Sequence, residues 1–347
     1  MFRHPLARLA ATAFAGSLAL TGCSSAAGSS TTAASTTSST GYPVTISNCG
    51  TSITFTKAPS RAVSNDINTT EDMLALGLGS RMVGYFGVNG DGPAGKPIPS
   101  EYEASFGKVR DVSPDPFTLE SLVGLAPDFL FAGWNYGLHV GTSLTPQGLA
   151  SYGIKTLALT ESCAHVDAAT QSVSLDDTYQ DLTNLGRIFG VESRATQLID
   201  GMKSQIAAVG AKVSGLKPVT VFDYDSGTAA PFTGPGLAMP TAEIAAAGGV
   251  NIFANLKQTW TTVSWEQVVA ANPQCIVVND YGTPTAAQKV RFLETDPVTK
   301  NLTAVKNRCF LTLSYDQVVP GPRDAEAVTA LAKWLHPDAF GLPGDGS

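Results

Sequence analysis

ESRATQLIDGMKSQIAAVGAKV, residues 192–213, is the segment that decides the fold. Its apolar residues recur every three or four positions, the spacing of one face of an α-helix. They are Ala195, Leu198, Ile199, Met202, Ile206, Val209 and Val213. At about 1.5 Å per residue, a helix of this length measures roughly 33 Å, close to the diameter of a small domain. Gly190 can end the helix before it, and Gly215 with Pro218 can end this one. The sequence therefore predicts one long helix with a lobe on either side.

The sequences on the two sides of this helix repeat one pattern. TLESLVGLAPDFLFAG, residues 118–133, aligns without a gap with SWEQVVAANPQCIVVN, residues 264–279. Each copy has a hydroxyl residue that can cap a helix, an acid in the first turn, an apolar pair, a proline and a β-rich apolar run. Earlier in each half, a helix headed by Glu71 or Glu243 ends at a glycine. Two unrelated helix–turn–strand units could share one such pattern, but agreement at both places favours an internal duplication.

Strands alternate with helices in both halves, which predicts mainly parallel sheets with right-handed crossovers. The predicted strands are 44–46, 52–55, 61–65, 82–86, 128–132, 154–159, 219–222, 275–279 and 309–313. The predicted helices are 70–76, 118–126, 147–152, 175–189, 192–213, 241–247, 265–271, 286–293 and 325–335. The expected fold class is α/β, with two Rossmann-like lobes connected by a single long α-helix. The expected divisions are a signal peptide (1–22), a tether (23–41), an N-terminal lobe (42–173), a helical linker (174–216), a C-terminal lobe (217–340) and a tail (341–347).

The N-terminus has the pattern of an export signal. Arg3 and Arg8 precede an apolar run from Leu9 to Leu20, and this run of about 12 residues is too short to span a bilayer. The following Leu-Thr-Gly-Cys resembles a bacterial lipobox, which implies cleavage before Cys23 and diacylation of its sulfur. The alternative is an ordinary secretory signal. Residues 24–40, rich in serine, threonine and alanine, predict a flexible tether, so the expected location is extracytoplasmic and membrane-anchored.

Composition and cysteine count restrict the function further. The hydrophobic content of 43% allows a packed core, and the formal net charge of −7 argues against a nucleic-acid partner. With Cys23 lipidated, four cysteines remain for an oxidising compartment, and four allow three disulfide pairings. Segregation by lobe favours Cys49–Cys163 and Cys275–Cys309. The chain has no CxxC, which argues against zinc or thioredoxin-type chemistry.

Several segments together resemble a known family. They are APSRAVSNDINTTEDMLALGLGSRMVGYFG (58–87), LGRIFGVESRA (185–195), VVPGPRDAEAV (318–328) and the two copies of the repeat. In order and spacing they resemble the substrate-binding proteins of ABC importers that capture ferric siderophores, haem and cobalamin, over most of residues 44–337. The resemblance implies a monomer that binds its ligand between two lobes and delivers it to a dimeric permease. It also implies that the single helix limits opening to a small hinge.

Glu71 and Glu243 occupy corresponding places in the two halves. In the predicted helices each lies in the first turn, where a carboxylate stabilises the helix dipole by about 0.3–1 kcal/mol without any function. The resemblance implies more, because in this family one exposed glutamate per lobe docks onto arginines of the two membrane subunits. Arginine–carboxylate pairs can be bidentate, and two carboxylates related by a pseudo-twofold suit a two-subunit partner. We therefore expect both side chains to be exposed.

The ligand is expected in the cleft, on loops at the carboxyl ends of the strands. Aromatic rings there suit a large planar or catecholate ligand, and amide and hydroxyl groups fix its orientation. The candidate residues are Asp66, Tyr85, Trp134, Asn135 and Tyr136 in the first half, and Tyr224, Asp225, Phe232, Trp260 and Tyr281 in the second. Any one of these rings could instead fill a lobe's core. The resemblance also supports a cleft position for Arg323, where it would meet carboxylate or hydroxamate oxygen; a surface salt bridge is the alternative.

The predicted ligand is a ferric siderophore, with cobalamin or haem as the alternatives. Haem would require an axial ligand from His139, His165 or a tyrosine. A chelated iron needs no ligand from the protein, so neither a protein-bound metal nor a cofactor is expected. A non-transport role as an envelope sensor or interaction lipoprotein stays open. An enzyme is not expected, because no nucleophile–base set is found and Ser214–Lys217 matches S-x-x-K without its companion motifs.

Overall fold

The computed structural model describes residues 41–88, 98, 100–167, 169–170 and 172–342. The predicted signal peptide, the lipidation site at Cys23 and the tether up to residue 40 lie outside the described residues, as does the tail beyond residue 342. Within the described part of the chain, no helix is both long enough and apolar enough to cross a bilayer.

Each half of the chain forms its own parallel sheet. The strands in chain order are β1 (Val44–Asn48), β2 (Thr51–Phe55), β3 (Ala62–Asn65), β4 (Met82–Phe86), β5 (Asp111–Ser113), β6 (Phe129–Trp134), β7 (Gly137–Leu138), β8 (Lys155–Ala158), β9 (Val219–Tyr224), β10 (Phe232–Thr233), β11 (Gly249–Asn251), β12 (Thr261–Thr262), β13 (Cys275–Asp280) and β14 (Phe310–Ser314). The N-terminal lobe is built on the order β5-β4-β3-β6-β7, with β8 also paired to β6. The C-terminal lobe is built on the order β11-β9-β13-β14. Two small antiparallel pairs, β1-β2 and β10-β12, complete the described pairing.

Helices connect these strands and cover the sheets. They are α1 (Ile67–Ala75), α2 (Ser100–Phe106), α3 (Leu119–Gly124), α4 (Pro146–Ala150), α5 (Leu175–Phe189), α6 (Glu192–Val213), α7 (Met239–Ala246), α8 (Trp265–Ala271), α9 (Ala286–Thr295), α10 (Thr303–Lys306) and α11 (Asp324–Leu335). The α/β fold with mainly parallel sheets is confirmed. The elements predicted from the sequence include neither α2 nor β5, so both were missed.

The long helix α6 belongs to both lobes. Ala195, Ile199 and Met202, in its first half, pack into the core of the N-terminal lobe. Val209 and Val213, near its end, pack into the core of the C-terminal lobe. The apolar stripe that predicted the helix is therefore divided between two cores, which confirms its place between the lobes.

The repeated units form equivalent structures in the two lobes. The side chain of Thr118 accepts a hydrogen bond from the backbone N–H of Ser121 and begins α3, which leads to β6. Ser264 accepts in the same way from Gln267 and begins α8, which leads to β13. Both strands lie inside their sheets, so the two copies occupy matching positions.

Both predicted disulfides are present. Cys49 is bonded to Cys163 within the N-terminal lobe, with 114 residues of sequence separation. Cys275 is bonded to Cys309 within the C-terminal lobe, with a separation of 34. The pairing favoured by segregation between the lobes is confirmed.

The predicted exposure of Glu71 and Glu243 is wrong. Helix α1 begins at Ile67 and α7 at Met239, three and two residues earlier than predicted. Each glutamate is therefore the fifth residue of its helix and lies beyond the first turn. Both have 0% relative exposure, because other elements cover that face of each helix. Neither carboxyl group is accessible to a docking partner.

Candidate functional site

A cavity of about 270 Å³ lies between the two lobes. Its lining comes from both of them: Asn135, Tyr136 and His165 from the N-terminal lobe, and Asp225, Phe232, Trp260, Tyr281, Tyr315 and Val319 from the C-terminal lobe. Four of these residues directly follow the last residue of a parallel strand: Asn135 after β6, Asp225 after β9, Tyr281 after β13 and Tyr315 after β14. In both sheets the strand order reverses beside these strands, between β3 and β6 and between β9 and β13. Open α/β sheets bind ligands at such reversal points.

The aromatic residues of the cavity are held by hydrogen bonds and ring contacts. The Tyr281 hydroxyl donates to Asp225 Oδ2 at 2.6 Å. The Tyr315 hydroxyl donates to Asp66 Oδ2 of the other lobe at 3.0 Å. The rings of Tyr281 and Tyr315 meet edge to face, with centroids 5.1 Å apart. Fixed rings of this kind offer both stacking faces and defined positions for polar contacts.

Phe232 and Trp260 form a second aromatic wall of the cavity. Their rings are stacked, with centroids 6.0 Å apart and an interplanar angle of 21°. The pairing of β10 with β12 brings them together, because Phe232 begins β10 and Trp260 immediately precedes β12. The indole Nε1 of Trp260 is buried and has no hydrogen-bond partner among the described residues. A buried donor without a partner costs free energy, so this N–H is available to an acceptor that approaches it.

A tight turn presents Asn135 and Tyr136 to the cavity. Asn135 has a φ of 63°, in the left-handed region that asparagine tolerates better than most residues. The carboxamide of Asn65 donates to the carbonyl oxygen of Tyr136 at 3.0 Å and holds the turn against β3. A Cβ atom at Gly133 would lie only 2.7 Å from the Tyr136 ring, so this position requires glycine. The local sequence therefore fixes both side chains.

The ionisable side chains of the cavity favour binding over metal coordination. Burial lowers the pKa of His165, so the ring is neutral at pH 7. The side-chain amide nitrogen of Asn135 lies 3.1 Å from Nδ1 of His165. Because an amide nitrogen can only donate, Nδ1 of His165 accepts this hydrogen bond and its Nε2 carries the proton. Burial, reinforced by nearby carboxyl groups, raises the pKa of Tyr136 and Tyr315, so their phenols stay protonated. Among the described residues, no group of three His, Cys, Asp or Glu side chains could hold a metal.

The structure brings only some of the predicted cleft residues to this cavity. Asn135, Tyr136, Trp260 and Tyr281 line it, as do Asp225 and Phe232. Asp66 lies directly behind, bonded to the Tyr315 hydroxyl, and is 5% exposed. These residues lie on or beside the loops that follow the strands; that they bind the ligand stays a prediction.

The prediction of a cleft position is wrong for Trp134, Tyr85 and Tyr224. All three are buried in lobe cores. Strands β6 and β9 continue two residues beyond their predicted ends, so Trp134 and Tyr224 are strand residues rather than loop residues. Trp134 lines a different cavity, of about 640 Å³, beside the β1–β2 hairpin. Its indole cannot report directly on a ligand between the lobes.

Three lining residues were not selected as cleft residues from the sequence. Tyr315 immediately follows β14, so the rule that identified Asn135 would have found it had this strand been predicted to its true end. Val319 lies in the loop before α11, and His165, considered only as a haem ligand, lies in a 3₁₀ turn after β8. No sequence pattern indicates that these two reach the cavity.

The predicted cleft position of Arg323 is wrong. Its guanidinium is 7% exposed and lies in a cluster of four carboxyl groups outside the cavity lining. Nη2 lies 2.8 Å from Glu101, Nη1 2.9 Å from Glu326, and Nε 3.6 Å from Asp316 and 3.8 Å from Glu71. Glu71 and Glu101 belong to the N-terminal lobe, so Arg323, from the C-terminal lobe, links the two. Carboxyl groups of the protein thus balance the positive charge of Arg323.

Burial changes the protonation within the Arg323 cluster. Burial, and then the Asp316 charge, raise the pKa of Glu71 to about 9. Although burial opposes it, hydrogen bonds to Glu326 and Glu101 hold the pKa of Arg323 above its usual range. At pH 7 the cluster therefore contains a charged arginine and a protonated Glu71, which reduces the repulsion among the carboxyl groups.

A second set of buried carboxyl groups lies between the lobes. We call it the interlobe acid cluster; its members are Asp72, Glu161, Asp181, Glu243 and Asp324, all buried. Glu161 Oε1 accepts from the backbone N–H of Met239 at 3.1 Å, and Asp324 Oδ2 accepts from the Thr178 hydroxyl at 2.6 Å. Burial raises the pKa of every member, to about 8 for Glu161 and Asp181 and about 7 for Asp324. Protonation of these carboxyl groups reduces the repulsion among them.

An exposed pair of acids does exist at corresponding positions of the repeat. Glu120 lies in the first turn of α3 and Glu266 in the first turn of α8, and both are exposed. Helices in such crossovers run antiparallel to their strands, so their first turns lie near the strand ends that form the cavity. A hydrogen bond from its own backbone N–H, and then one from the Ser264 side chain, lower the pKa of Glu266, which keeps that carboxylate ionised.

Comparison with known proteins agrees with this architecture. A family model described as "Periplasmic binding protein" matches residues 63–316. A substrate-binding lipoprotein of an ABC transporter from Bacillus subtilis is 27% identical over 86% of this chain and 87% of its own length. A vitamin B12-binding protein from Yersinia pestis is 26% identical over 67% of this chain and 74% of its own length.

A solved structure is similar over almost its whole length. This periplasmic binding protein from Veillonella parvula superposes with a TM-score of 0.73 at 27% identity, over 85% of this chain and 97% of that one. The family model covers most of the described chain, including both sheets and the long helix between them. The chain is thus a solute-binding protein rather than an enzyme, and it belongs to the periplasmic binding protein family.

Proposed function

We propose that this protein is the extracytoplasmic substrate-binding component of an ABC importer and that it captures a ferric siderophore between its lobes. The observation that carries the proposal is the aromatic cavity at the carboxyl ends of both sheets, to which each lobe contributes. Rings and fixed polar groups bind a chelate by stacking and hydrogen bonding, with no covalent step. The resemblance found in the sequence supports the same ligand class.

Ligand entry requires the lobes to separate. Pockets that enclose drug-sized ligands measure about 300–1,000 Å³, whereas this cavity measures about 270 Å³. Bonds that cross between the lobes, such as that from the Tyr315 hydroxyl to Asp66, close the site. We infer that the described conformation is closed and that a small hinge movement about α6 admits the chelate.

Delivery to the membrane would use the exposed acids of the repeat and the lipid anchor. The buried Glu71 and Glu243 are replaced in this role by Glu120 and Glu266, one on each lobe, which meet the requirement for exposure. Carboxylates at two matching positions suit arginines on two permease subunits. Cys23, with its lipid, would keep the protein at the membrane surface.

Cobalamin is the second candidate ligand. It is favoured by the similarity to the vitamin B12-binding protein of Yersinia pestis, which covers two thirds of this chain. Cobalamin is also a large metal chelate whose recognition needs no metal ligand from the protein. Its size would require a wider separation of the lobes than a compact siderophore.

Tryptophan fluorescence tests the proposal. Mature protein purified in detergent would be titrated with ferric siderophores, cobalamin and haem. Because Trp260 lines the cavity, a bound chelate should quench its emission saturably, and Trp260→Phe should remove most of that signal. Trp334→Phe, in α11 and away from the cavity, should leave the quenching intact. Flat titrations across the panel, together with an absence of heat in calorimetry, would contradict this function and favour an interaction or sensor role.

A further inference from the structure

The cavity of about 640 Å³ beside the β1–β2 hairpin belongs to the N-terminal lobe alone. Its lining residues all fall between positions 48 and 166, and none of them also lines the cavity between the lobes. Pockets that hold small organic ligands measure about 300–1,000 Å³. This cavity is therefore large enough for such a ligand in the described conformation, without any movement of one lobe against the other.

The walls of this cavity are tied together at two places. The disulfide between Cys49 and Cys163 joins the turn of the hairpin to the 3₁₀ turn after β8. The carboxamide of Asn48 donates to the carbonyl oxygen of Ala158 at 2.8 Å and accepts from the N–H of the same residue at 2.7 Å. Hairpin and strand are thus held at a fixed separation. A preformed cavity binds a ligand with little cost of ordering the protein.

Exposed apolar side chains gather at this cavity. Val140 is 65% exposed and Val166 is 40% exposed, and both line it. Tyr152 is exposed too and immediately precedes Gly153 of the lining. Three of the eight large apolar side chains that are exposed in the described part of the chain therefore lie at one place. Apolar surface that is grouped in this way marks binding sites, whereas single exposed apolar residues do not.

Two residues of the cavity wall carry buried polar atoms without a partner. Trp134 is 7% exposed and Thr156 is 3% exposed, and both line the cavity. The indole Nε1 of the first and the hydroxyl oxygen of the second make no hydrogen bond to another described residue. Leaving a buried donor unpaired costs free energy, which a ligand oxygen that reaches it would recover. Both groups can donate, so the ligand that suits them carries an acceptor oxygen.

The cavity offers no free counter-charge to an ionised ligand. No Asp or Glu is among the lining residues that the structure describes, and Lys155 is the one ionisable side chain among them. Its Nζ donates to the carbonyl oxygen of Thr54 and lies 5.0 Å from the centroid of the Phe55 ring. A charge that enters this cavity would lose its hydration without gaining a free partner, so the chemistry of the walls favours an uncharged ligand.

We propose that the N-terminal lobe carries a second binding site, in this cavity, for an uncharged and mainly apolar molecule with an acceptor oxygen such as a carbonyl. Ile154, Val140 and Val166 contact the apolar body of the molecule. The indole N–H of Trp134 and the hydroxyl of Thr156 receive its oxygen. The site is separate from the proposed site between the lobes and does not depend on it.

A fluorescent ketone tests the site. Prodan, a naphthalene with propionyl and dimethylamino groups, is uncharged, carries one carbonyl oxygen and emits at shorter wavelength in apolar surroundings. Titrated against the mature protein in detergent, it should give a saturable blue shift beyond that of the micelles. Ala150→Phe adds a ring to an exposed lining residue at the end of α4 and should weaken binding at least tenfold. Ala208→Phe, exposed on α6 and outside the lining, should bind as the wild type does. Micelles take up the probe equally in all three samples, so equal signals from the wild type and Ala150→Phe would overturn the proposal.

A matched pair of competitors tests the ligand class. 2-Acetylnaphthalene and 2-naphthoate have nearly the same shape, but only the naphthoate is charged. The ketone should displace Prodan, and the naphthoate should need at least a tenfold higher concentration. Trp134→Phe and Thr156→Val remove the two unpaired polar atoms and keep apolar side chains, and each should weaken Prodan binding about three- to tenfold. Trp260→Phe should leave it unchanged, because that ring lines the cavity between the lobes. Equal displacement by the two competitors, or full affinity in both Trp134→Phe and Thr156→Val, would overturn the proposed ligand class.

Discussion

The side chain of Glu161 and the backbone of Met239 join the two lobes directly. Glu161 Oε1 accepts from the Met239 N–H at 3.1 Å, across the boundary between the turn after β8 and the first residue of α7. Burial raises the pKa of Glu161 to about 8, so at pH 7 the group is mainly protonated. A neutral acceptor at the N-terminus of a helix satisfies one of the N–H groups that the helix leaves without a partner.

Replacing Glu161 tests this bond. Glu161→Ala leaves the buried Met239 N–H without an acceptor, which should lower the free energy of unfolding by about 1–3 kcal/mol and open the lobes. Glu161→Gln keeps a carbonyl acceptor of the same length and should retain most of the stability. Urea unfolding measures the free energy of unfolding, and small-angle scattering measures whether the lobes open. An alanine variant as stable and compact as the wild type would show that the bond has no role in closure.

The buried carboxyl groups predict that the protein loses stability as the pH rises. The folded-state pKa is about 8 for Glu161 and Asp181 and about 7 for Asp324, whereas the unfolded values are about 4. Between about pH 4 and pH 8 the folded state therefore binds more protons than the unfolded state, so the free energy of unfolding falls with increasing pH. This contribution is complete below about pH 4 and is lost as the pH passes through 7 to 8. Calorimetry should give a melting temperature that decreases from pH 5 to pH 9.

One variant tests whether the buried carboxyl groups cause the decrease in melting temperature with increasing pH. Asp324→Asn removes one titrating group and keeps an amide oxygen that can accept from Thr178, so the decrease in melting temperature should become shallower. A melting temperature that is constant or rises over this range in the wild type would contradict the assignment of raised pKa values.

Arg323 should be the arginine whose loss costs most stability. Arg323→Met leaves its four neighbouring carboxyl groups without their cation, and breaking a buried ion cluster in this way costs about 3–5 kcal/mol. The control is Arg308→Met, which removes an exposed ion pair with Glu294 at 3.0 Å and should cost about 0–1 kcal/mol. Urea denaturation compares the two variants. Equal losses would mean that burial of the Arg323 cluster does not determine its energy.

The two disulfides should differ in the stability that they provide. In the chain-entropy model, a loop of 114 residues contributes about 5 kcal/mol and one of 34 residues about 4 kcal/mol. Replacing Cys49 and Cys163 together by serine should therefore destabilise the protein by about 1 kcal/mol more than replacing Cys275 and Cys309. Chemical unfolding of the two double variants measures the difference. The reverse order would indicate that residual structure in the unfolded chain outweighs loop length.

The exposed acids of the repeat should act in delivery and not in ligand capture. Reversing the charge at Glu120 or Glu266 with arginine would repel permease arginines, so ligand-stimulated ATPase activity in vesicles from the protein's own cells should fall. The affinity for the ligand should be unchanged. Asp200→Arg changes an exposed charge on α6 and serves as the control. Full ATPase stimulation by the Glu120→Arg, Glu266→Arg double variant would exclude these residues from docking.

Periodicity in the sequence predicted the middle of most elements but not their ends. Helix α6 and its division between two lobes follow from a stripe of seven apolar residues, and the structure has the same bounds. The start of α1 depends instead on a tertiary arrangement: Asp66, at a φ of 84°, accepts from the Ile67 N–H and from the Tyr315 hydroxyl of the other lobe. A contact between residues 249 positions apart leaves no local pattern in the sequence. This is why the position of Glu71 within α1 was misjudged. The N–H of Met239, the first residue of α7, likewise donates to Glu161 of the other lobe, a contact that the sequence around Glu243 does not indicate.

The sequence predicted where the cavity lies, but only some of the residues that line it. The rule that ligands bind at the carboxyl ends of strands selected Asn135, Tyr136 and Tyr281, and all three line the cavity between the lobes. An error of two residues at the end of β6 placed Trp134 on a loop, although it is 7% exposed in the lobe core. The burial of Arg323 among four carboxyl groups depends on both lobes together, and neither lobe's sequence alone indicates it.

The division of α6 between two cores has a consequence for how the chain folds. Met202 and Val209 lie two turns apart on one helix but are packed in different lobes. A helix of this kind transmits loss of structure, because melting of either half removes packing from the other lobe. The two lobes should therefore unfold in one cooperative transition, and cutting the chain between them would expose an apolar helix face rather than release two independent domains.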